Sequence, residues 1–163
     1  MLRLRHKNSL VPGDASERVA RELVPELDEH VGALSTLFHQ YLKHTWMCAG
    51  EPYGDLAKRH QAEVLADLNR AAEATALLGG VPLGSPLEHV NRSYLEHEDE
   101  GIFDLGAMIA LDTAHEEVLK VRLGITLEAA FELSALATQN TLSALLTNAG
   151  ARRGRIKTFE GRS

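Results

Sequence analysis

Cysteine is all but missing from the 163 residues: Cys48 stands alone. One thiol cannot close an intramolecular disulfide or furnish a multi-cysteine metal cage, so zinc-ribbon and thioredoxin-like sites are excluded. A free cysteine is more often a packed side chain than a reactive one. Aromatic residues make up 5% of the chain, with a single tryptophan, Trp46. Long apolar runs are absent too, so no segment has the length to cross a bilayer as a helix. The opening MLRLRHKNSLVPGD carries basic residues but no continuous apolar stretch ending in a small-residue cleavage site, which predicts a chain without a secretory signal and a cytoplasmic location. Alternation of apolar and polar residues, the mark of a half-buried strand, does not appear in any convincing run. What remains is globular in character: 44% hydrophobic and 25% charged residues, in a length that suits one domain with a real core.

Charge is unevenly spread. Residues 1–13 hold Arg3, Arg5 and Lys7 without an acid, and residues 151–163 hold Arg152, Arg153, Arg155, Lys157 and Arg162 against Glu160. These segments carry about +3 and +4, and since the whole chain is −6, the body from 14 to 150 carries about −13. The expected organisation is therefore a basic N-terminal tail (1–13), a helical body (14–150) and a basic C-terminal tail (151–163). An acidic body attracts cations, and basic tails attract polyanions. Arg3, Arg5, Lys7, Arg152, Arg153, Arg155 and Lys157 are accordingly candidates for contact with DNA phosphates. The plainer reading is that the termini are charged for solvation, because basic clusters without interleaved aromatics are a weak nucleic-acid signature.

From Asp14 the pattern is helical. Val24, Leu27, Val31, Leu34, Phe38 and Tyr41 recur at spacings of three and four, which predicts an amphipathic helix over about 14–48 with a kink or its true start at Pro25. After Gly50, Glu51 and Pro52, a second run over about 53–78 ends at Gly79-Gly80, and its short entry loop predicts an antiparallel hairpin. The stretch GGVPLGSP cannot continue a helix. Ser85 with Glu88 reads as a capping box for a short helix around 86–95. A third long run is expected from Ile102 to Leu123, broken by Gly124, and a fourth from Thr126 as its cap to about 148–150. Four long helices paired as hairpins around one long crossover that carries a short helix describe an all-α four-helix bundle of ferritin-like connectivity.

The segment HQYLKHTWMCAGEPYGDLAKRHQAEVLADLNRAAEATALLGGVPLGSP, His39 to Pro86, resembles the Dps group (DNA protection during starvation) of ferritin-like proteins. That group's pattern ends the first helix in K-x-H-W, continues with G and an aromatic, and closes the second helix in L-G-G-x-P. Trp46, Gly50, Tyr53, Leu78, Gly79, Gly80 and Pro82 take those places, and HEDEGIFDLGAMIALD looks like the entry to the family's third helix. The resemblance implies a hollow dodecameric cage that takes up ferrous iron, oxidises it with peroxide and stores the ferric mineral, and that in some members coats DNA with basic tails. It implies a ferroxidase centre between two subunits, built from the His before the Trp, a His and an acid early on the second helix, and an acid and a Glu later on it.

This sequence departs from that set. Thr45 precedes Trp46, and the histidine stands at His44, about a hundred degrees away around the helix. Counted from Trp46, the early His and acid fall on Ala57 and Gln61; counted back from Gly79, the later pair falls on Asn69 and Glu73. A rebuilt centre has candidates in His60, Glu63 and Asp67, which share one face of the second helix and offer one imidazole and two carboxylates, with His44, and His39 before it, from the first helix. The candidate metal ligands are thus His44, His60, Glu63, Asp67 and Glu73, with iron as the metal. The bland alternative pairs the second-helix residues with Lys58, Arg59 and Arg70 on a solvated or intersubunit flank. Glu26 to His30 and Asp112, His115, Glu116 carry the same ambiguity. Glu98, Asp99 and Glu100, within the ionisable run 96–100, are candidates for an iron-entry pore, or else form a solvated loop whose charge favours the next helix dipole.

Two functions follow as expectations: an iron-binding and iron-storing cage, oxidising ferrous iron at a non-standard centre, or a ferroxidase-deficient structural or DNA-binding relative of it. No nucleophile and base constellation supports an organic reaction, and no catalytic residue is assigned.

Overall fold

The computed structural model describes residues 12–161. Among them are five helices and no strand: α1 Pro12–Met47, α2 Pro52–Leu77, α3 Pro86–Arg92, α4 Leu105–Glu132 and α5 Leu136–Lys157. Helices α1 and α2 form one hairpin and α4 and α5 the other; α1 also packs on α4, and α2 on α5. This is the expected four-helix bundle with a long crossover carrying a short helix. Arg3, Arg5 and Lys7, and the 1–13 boundary, lie in or at the segment outside the described residues.

Helix α1 lies innermost, with every residue from 30 to 37 buried. Leu23, Leu27, Val31, Leu34, Leu37 and Tyr41 are fully enclosed, each large aliphatic contributing about 1.5–3 kcal/mol by leaving water. The helix runs unbroken through Pro25. Neighbours on every side explain the run: α2 and α4 flank α1, and α3 crosses it at Gly32. A Cβ there would stand 2.7 Å from both the His89 carbonyl oxygen and the Ser93 nitrogen, so only glycine admits this approach.

The end of α2 follows from sequence. Gly79 adopts φ 82°, and the amides of Gly79 and Gly80 donate to the carbonyls of Ala76 and Thr75 at 2.9 and 3.0 Å, a Schellman closure. Other expected boundaries need correction. Ser85 makes no side-chain capping bond at α3, where Pro86 already presets the first turn, and α3 ends at Arg92 rather than 95. Gly124 does not end a helix: α4 starts at Leu105, capped by the Asp104 carboxylate on the Ala107 amide at 2.7 Å, and continues to Glu132. A single helical glycine costs only about 1 kcal/mol, which the flanking turns outweigh. Thr126 is therefore not a cap; its hydroxyl donates to the Arg122 carbonyl inside α4. The break falls at Ser134, φ 55°, where the Ser134 and Ala135 amides bond the Phe131 and Ala130 carbonyls. The same Schellman geometry recurs there with serine in the left-handed position. Finally, α5 extends to Lys157, so most of the expected 151–163 tail is helix: Arg152 and Ile156 are fully buried, and Phe159 stacks edge-on against Tyr53 at 5.2 Å.

Candidate functional site

At the bundle centre the apolar stripes of the four long helices are interrupted by ionisable groups. On α4 the stripe Met108, Ile109, Leu119, Leu123 contains Asp112 and Glu116; on α5 the stripe Leu142, Leu145, Ala149, Ile156 contains Arg152; α2 contributes His60 and Asp67, and α1 contributes Tyr41 and His44. All seven ionisable or phenolic groups are within 1% of full burial. Buried charge is tolerated only where it is paired and hydrogen-bonded, and two connected networks do this.

The first is centred on Arg152. Its Nη1 donates to Asp67 Oδ2 at 2.7 Å and its Nε to Glu116 Oε1 at 2.6 Å. Tyr41 donates its hydroxyl to the same Glu116 oxygen at 2.8 Å, and Asn148 Nδ2 donates to Asp67 Oδ1 at 2.7 Å. Burial works against the Arg152 cation, but Glu116 and Asp67 outweigh it and its pKa is raised further. Burial pushes the Glu116 carboxyl up, with Arg152 opposing. Glu116 Oε2 and Arg152 Nη2 are buried with no hydrogen-bond partner among the described residues.

The second network is centred on Asp112. Its Oδ1 accepts from Gln40 at 2.6 Å, and its Oδ2 accepts from Tyr53 at 2.5 Å and from His44 Nδ1 at 2.9 Å. The other ring nitrogen of His44 lies 2.9 Å from Glu98 Oε1, and Lys43 Nζ lies 2.7 Å from Glu98 Oε2. Both ring nitrogens of His44 thus face carboxylate oxygens, an arrangement that favours the imidazolium, which donates from both nitrogens. Burial alone would lower its pKa, but Asp112 and Glu98 prevail and raise it. Burial would likewise raise Glu98, but Lys43 and His44 hold it below the usual carboxylate range.

His60 has the opposite environment. Burial, reinforced by Arg155, Arg152 and Arg59, lowers its pKa to about 3. The neutral ring accepts from Arg155 Nε at 3.1 Å through Nε2 and packs edge-on against Tyr41 at 5.1 Å. Arg155 also pairs with Glu63.

The sequence candidates therefore disperse. His44 joins α4 and the crossover. His60, Glu63 and Asp67 do share a face of α2, as their spacing predicts, but that face meets the arginines of α5, while Glu73 is exposed. Among the described residues no group of three or more His, Cys, Asp or Glu side chains is placed to hold a metal ion. Of the iron-entry candidates, Glu98 points inward with its side chain 6% exposed, correcting the picture of a wholly solvated loop; Asp99 and Glu100 are exposed. Of the DNA candidates, Arg152 is 0% exposed and cannot reach a phosphate. Arg153 pairs with Glu117 and Glu160, Arg155 is engaged as above, and Lys157 is exposed. Cys48 is buried, and burial raises its thiol pKa, so it acts as packing. The network members missed were Arg152, Tyr41 and Tyr53, with Gln40, Lys43 and Asn148 around them. A signal for Arg152 was available: the spacing 142, 145, 149, 152, 156 carries the apolar stripe of α5 straight through it.

Four long helices around a charged centre, with a short helix in the crossover, define a ferritin-like protein. Residues 25–151 match the ferritin-like domain family, and the chain belongs to it. Within that family it is similar to Dps: it is 32% identical over 100 residues to a DNA protection during starvation protein from Halobacterium salinarum, across 58% of this chain and 54% of that protein. The matched chain spans about half the length of that curated relative. An archaeal Dps homologue from Halobacterium salinarum superposes with TM-score 0.82 at 22% identity, over 97% of this chain and 92% of that one. A dodecameric thioferritin, the bacterioferritin-related protein from Bacteroides fragilis, gives TM-score 0.79 at 14% identity, over 86% and 84%. At these identities the two structures speak for the fold alone.

Proposed function

We propose that the chain is the subunit of a Dps-type iron-storage cage, a homododecamer that binds ferrous iron as cargo outside the individual bundle. The observation that carries the reading is the complete ferritin-like bundle, with its crossover helix seated on Gly32, in a chain whose body is strongly acidic. Asp and Glu oxygens suit iron as a hard cation. Assembly is supported by large apolar side chains left exposed along one side of α4, Val118, Val121 and Ile125, which suit burial between subunits, and by the dodecameric state named for the Bacteroides relative. No helix among the described residues is long and apolar enough to cross a membrane.

A second reading, a cage without ferroxidase activity, is favoured by one specific observation: His44, His60, Glu63 and Asp67 all have hydrogen-bonding or ionic partners already. DNA contact, in this reading, falls to Arg3, Arg5 and Lys7, with Lys157 as the exposed basic candidate of α5, since Arg152, Arg153 and Arg155 are engaged within the fold.

Ferrous iron with peroxide separates the readings. Size-exclusion chromatography should give an assembly of twelve subunits that retains iron. Rapid, saturable growth of ferric absorbance supports oxidation by the protein, whereas a trace matching the protein-free control, with iron still co-eluting, selects the second reading. No iron in the protein peak overturns the proposal.

A further inference from the structure

Ferritin-like carboxylate proteins commonly place two metal ions inside the bundle, held by carboxylates projecting inward from facing helices and by Glu-x-x-His pairs. This chain has the inward carboxylates, Asp67 on α2 and Glu116 on α4, at the level where all four long helices meet. It does not fit the metal. The donors converge on a guanidinium: Nη1 and Nε of Arg152 take one oxygen from each carboxylate at 2.7 and 2.6 Å, and Arg152 is 0% exposed. The nearby imidazole, His60, has its Nε2 lone pair engaged by Arg155 at 3.1 Å. We infer that Arg152 is the resident cation of the bundle centre: its guanidinium takes the place of a divalent ion between Asp67 and Glu116, closes the subunit core to metal, and on removal leaves those carboxylates as a divalent-cation site.

Three features support this. Asp67 and Glu116 come from different helices and are bridged by one side chain from a third, which is the joining task a metal performs. Tyr41 and Asn148 orient the two carboxylates independently of Arg152, at 2.8 and 2.7 Å, so the cage keeps an anchor on each acid when the guanidinium is removed. Glu116 Oε2 has no hydrogen-bond partner among the described residues, leaving a buried oxygen for a cation to use. The ligand class is a hard divalent ion with oxygen donors and retained waters, such as Fe²⁺, Mn²⁺ or Co²⁺. The inference goes beyond the iron-storage reading and does not depend on it, because it concerns the inside of one subunit.

The test compares the full-length protein with Arg152→Ala, using Co²⁺ as the probe. Equilibrium dialysis should show one more Co²⁺ per chain in Arg152→Ala than in the unsubstituted protein, which discounts sites on the cage surface or between subunits. The thermal midpoint of the variant should rise by roughly 5–10 °C at a hundredfold excess of Co²⁺ over its dissociation constant, with no comparable rise for the unsubstituted protein. Both effects should vanish when Glu116→Gln is added. Equal Co²⁺ content in the two proteins, or a gain that persists with Glu116→Gln, overturns the inference. If Arg152→Ala does not fold alone, it is refolded with and without Co²⁺ beside the charge-free Arg152→Met/Asp67→Asn/Glu116→Gln protein. Recovery only with Co²⁺ supports the inference; no recovery with Co²⁺, while the charge-free protein folds, overturns it.

Discussion

At His44 two carboxylates face the two ring nitrogens, whereas at His60 a guanidinium faces one, and from this difference the pH dependence of stability can be derived. The folded pKa of His44 is raised, so its contribution is complete below the unfolded value of about 6.5 and is lost as pH rises through the folded value. The folded pKa of His60 is lowered to about 3 and that of His30 to about 4. Between those values and about 6.5 the unfolded chain binds protons that the folded one does not, so stability falls as pH falls, by about 1.4 kcal/mol per unit for each ring. We expect the thermal midpoint to decline on both sides of about pH 6.5. His44→Gln should flatten the alkaline limb, and His60→Gln should reduce the acid limb by one proton; unchanged limbs in both variants would contradict these assignments. Little of this was legible in sequence. His44 stood out because it lies one position from the family ligand, but its partners Glu98 and Asp112 are 54 and 68 residues away, and no periodicity reveals a pairing at such distance. Arg152 was legible in principle, as a charge on an apolar stripe, and was obscured by the basic residues around it.

The helix ends show what local sequence does and does not encode. The close of α2 was readable because Gly79 takes the left-handed conformation that glycine adopts without steric cost. The close of α4 uses the same hydrogen bonds with Ser134, a residue that gives no such signal, and Gly124 offered a false one ten residues earlier. The positions of α1 and α2 followed from apolar spacing, whereas the α4–α5 boundary lies in a local backbone turn that no glycine marks. Two glycine substitutions test the corrected elements in opposite directions. Gly124 is helical and a Cβ there meets nothing within 4 Å, so Gly124→Ala should stabilise by about 1 kcal/mol and raise the thermal midpoint by about 2–4 °C. Gly32 is also helical, but its Cβ would run into the backbone of α3 at 2.7 Å. Gly32→Ala should therefore lower the midpoint despite its better helix propensity. A rise for Gly32→Ala would mean that α3 does not clamp α1 as described.

On the scale of the whole molecule, the C-terminal basic segment belongs to the helical body, although in sequence its charge looks like that of the N-terminal one. The C-terminal one is part of the subunit: Arg152 bridges α2 and α4, Arg155 holds Glu63 and His60, Ile156 is fully buried, and Phe159 packs on Tyr53. Truncation after Gly150 strands Asp67 and Glu116 without their cation, at a cost of about 3–5 kcal/mol for a broken buried pair. It also removes about 2 kcal/mol of apolar burial at Ile156. The loss is comparable with the whole stability of an ordinary domain, so the shortened chain should be largely unfolded by circular dichroism and absent from the assembled peak. Removal of residues 1–11 takes away Arg3, Arg5 and Lys7 while leaving every ion pair described above in place. That protein should assemble normally. If the N-terminal segment carries the DNA contact, duplex DNA retarded by the full chain at low salt, with retardation fading as salt rises, should run free with the shortened one. Retardation that survives the deletion would place the DNA-binding surface on the helical body of the chain, with Lys157 as an exposed basic candidate.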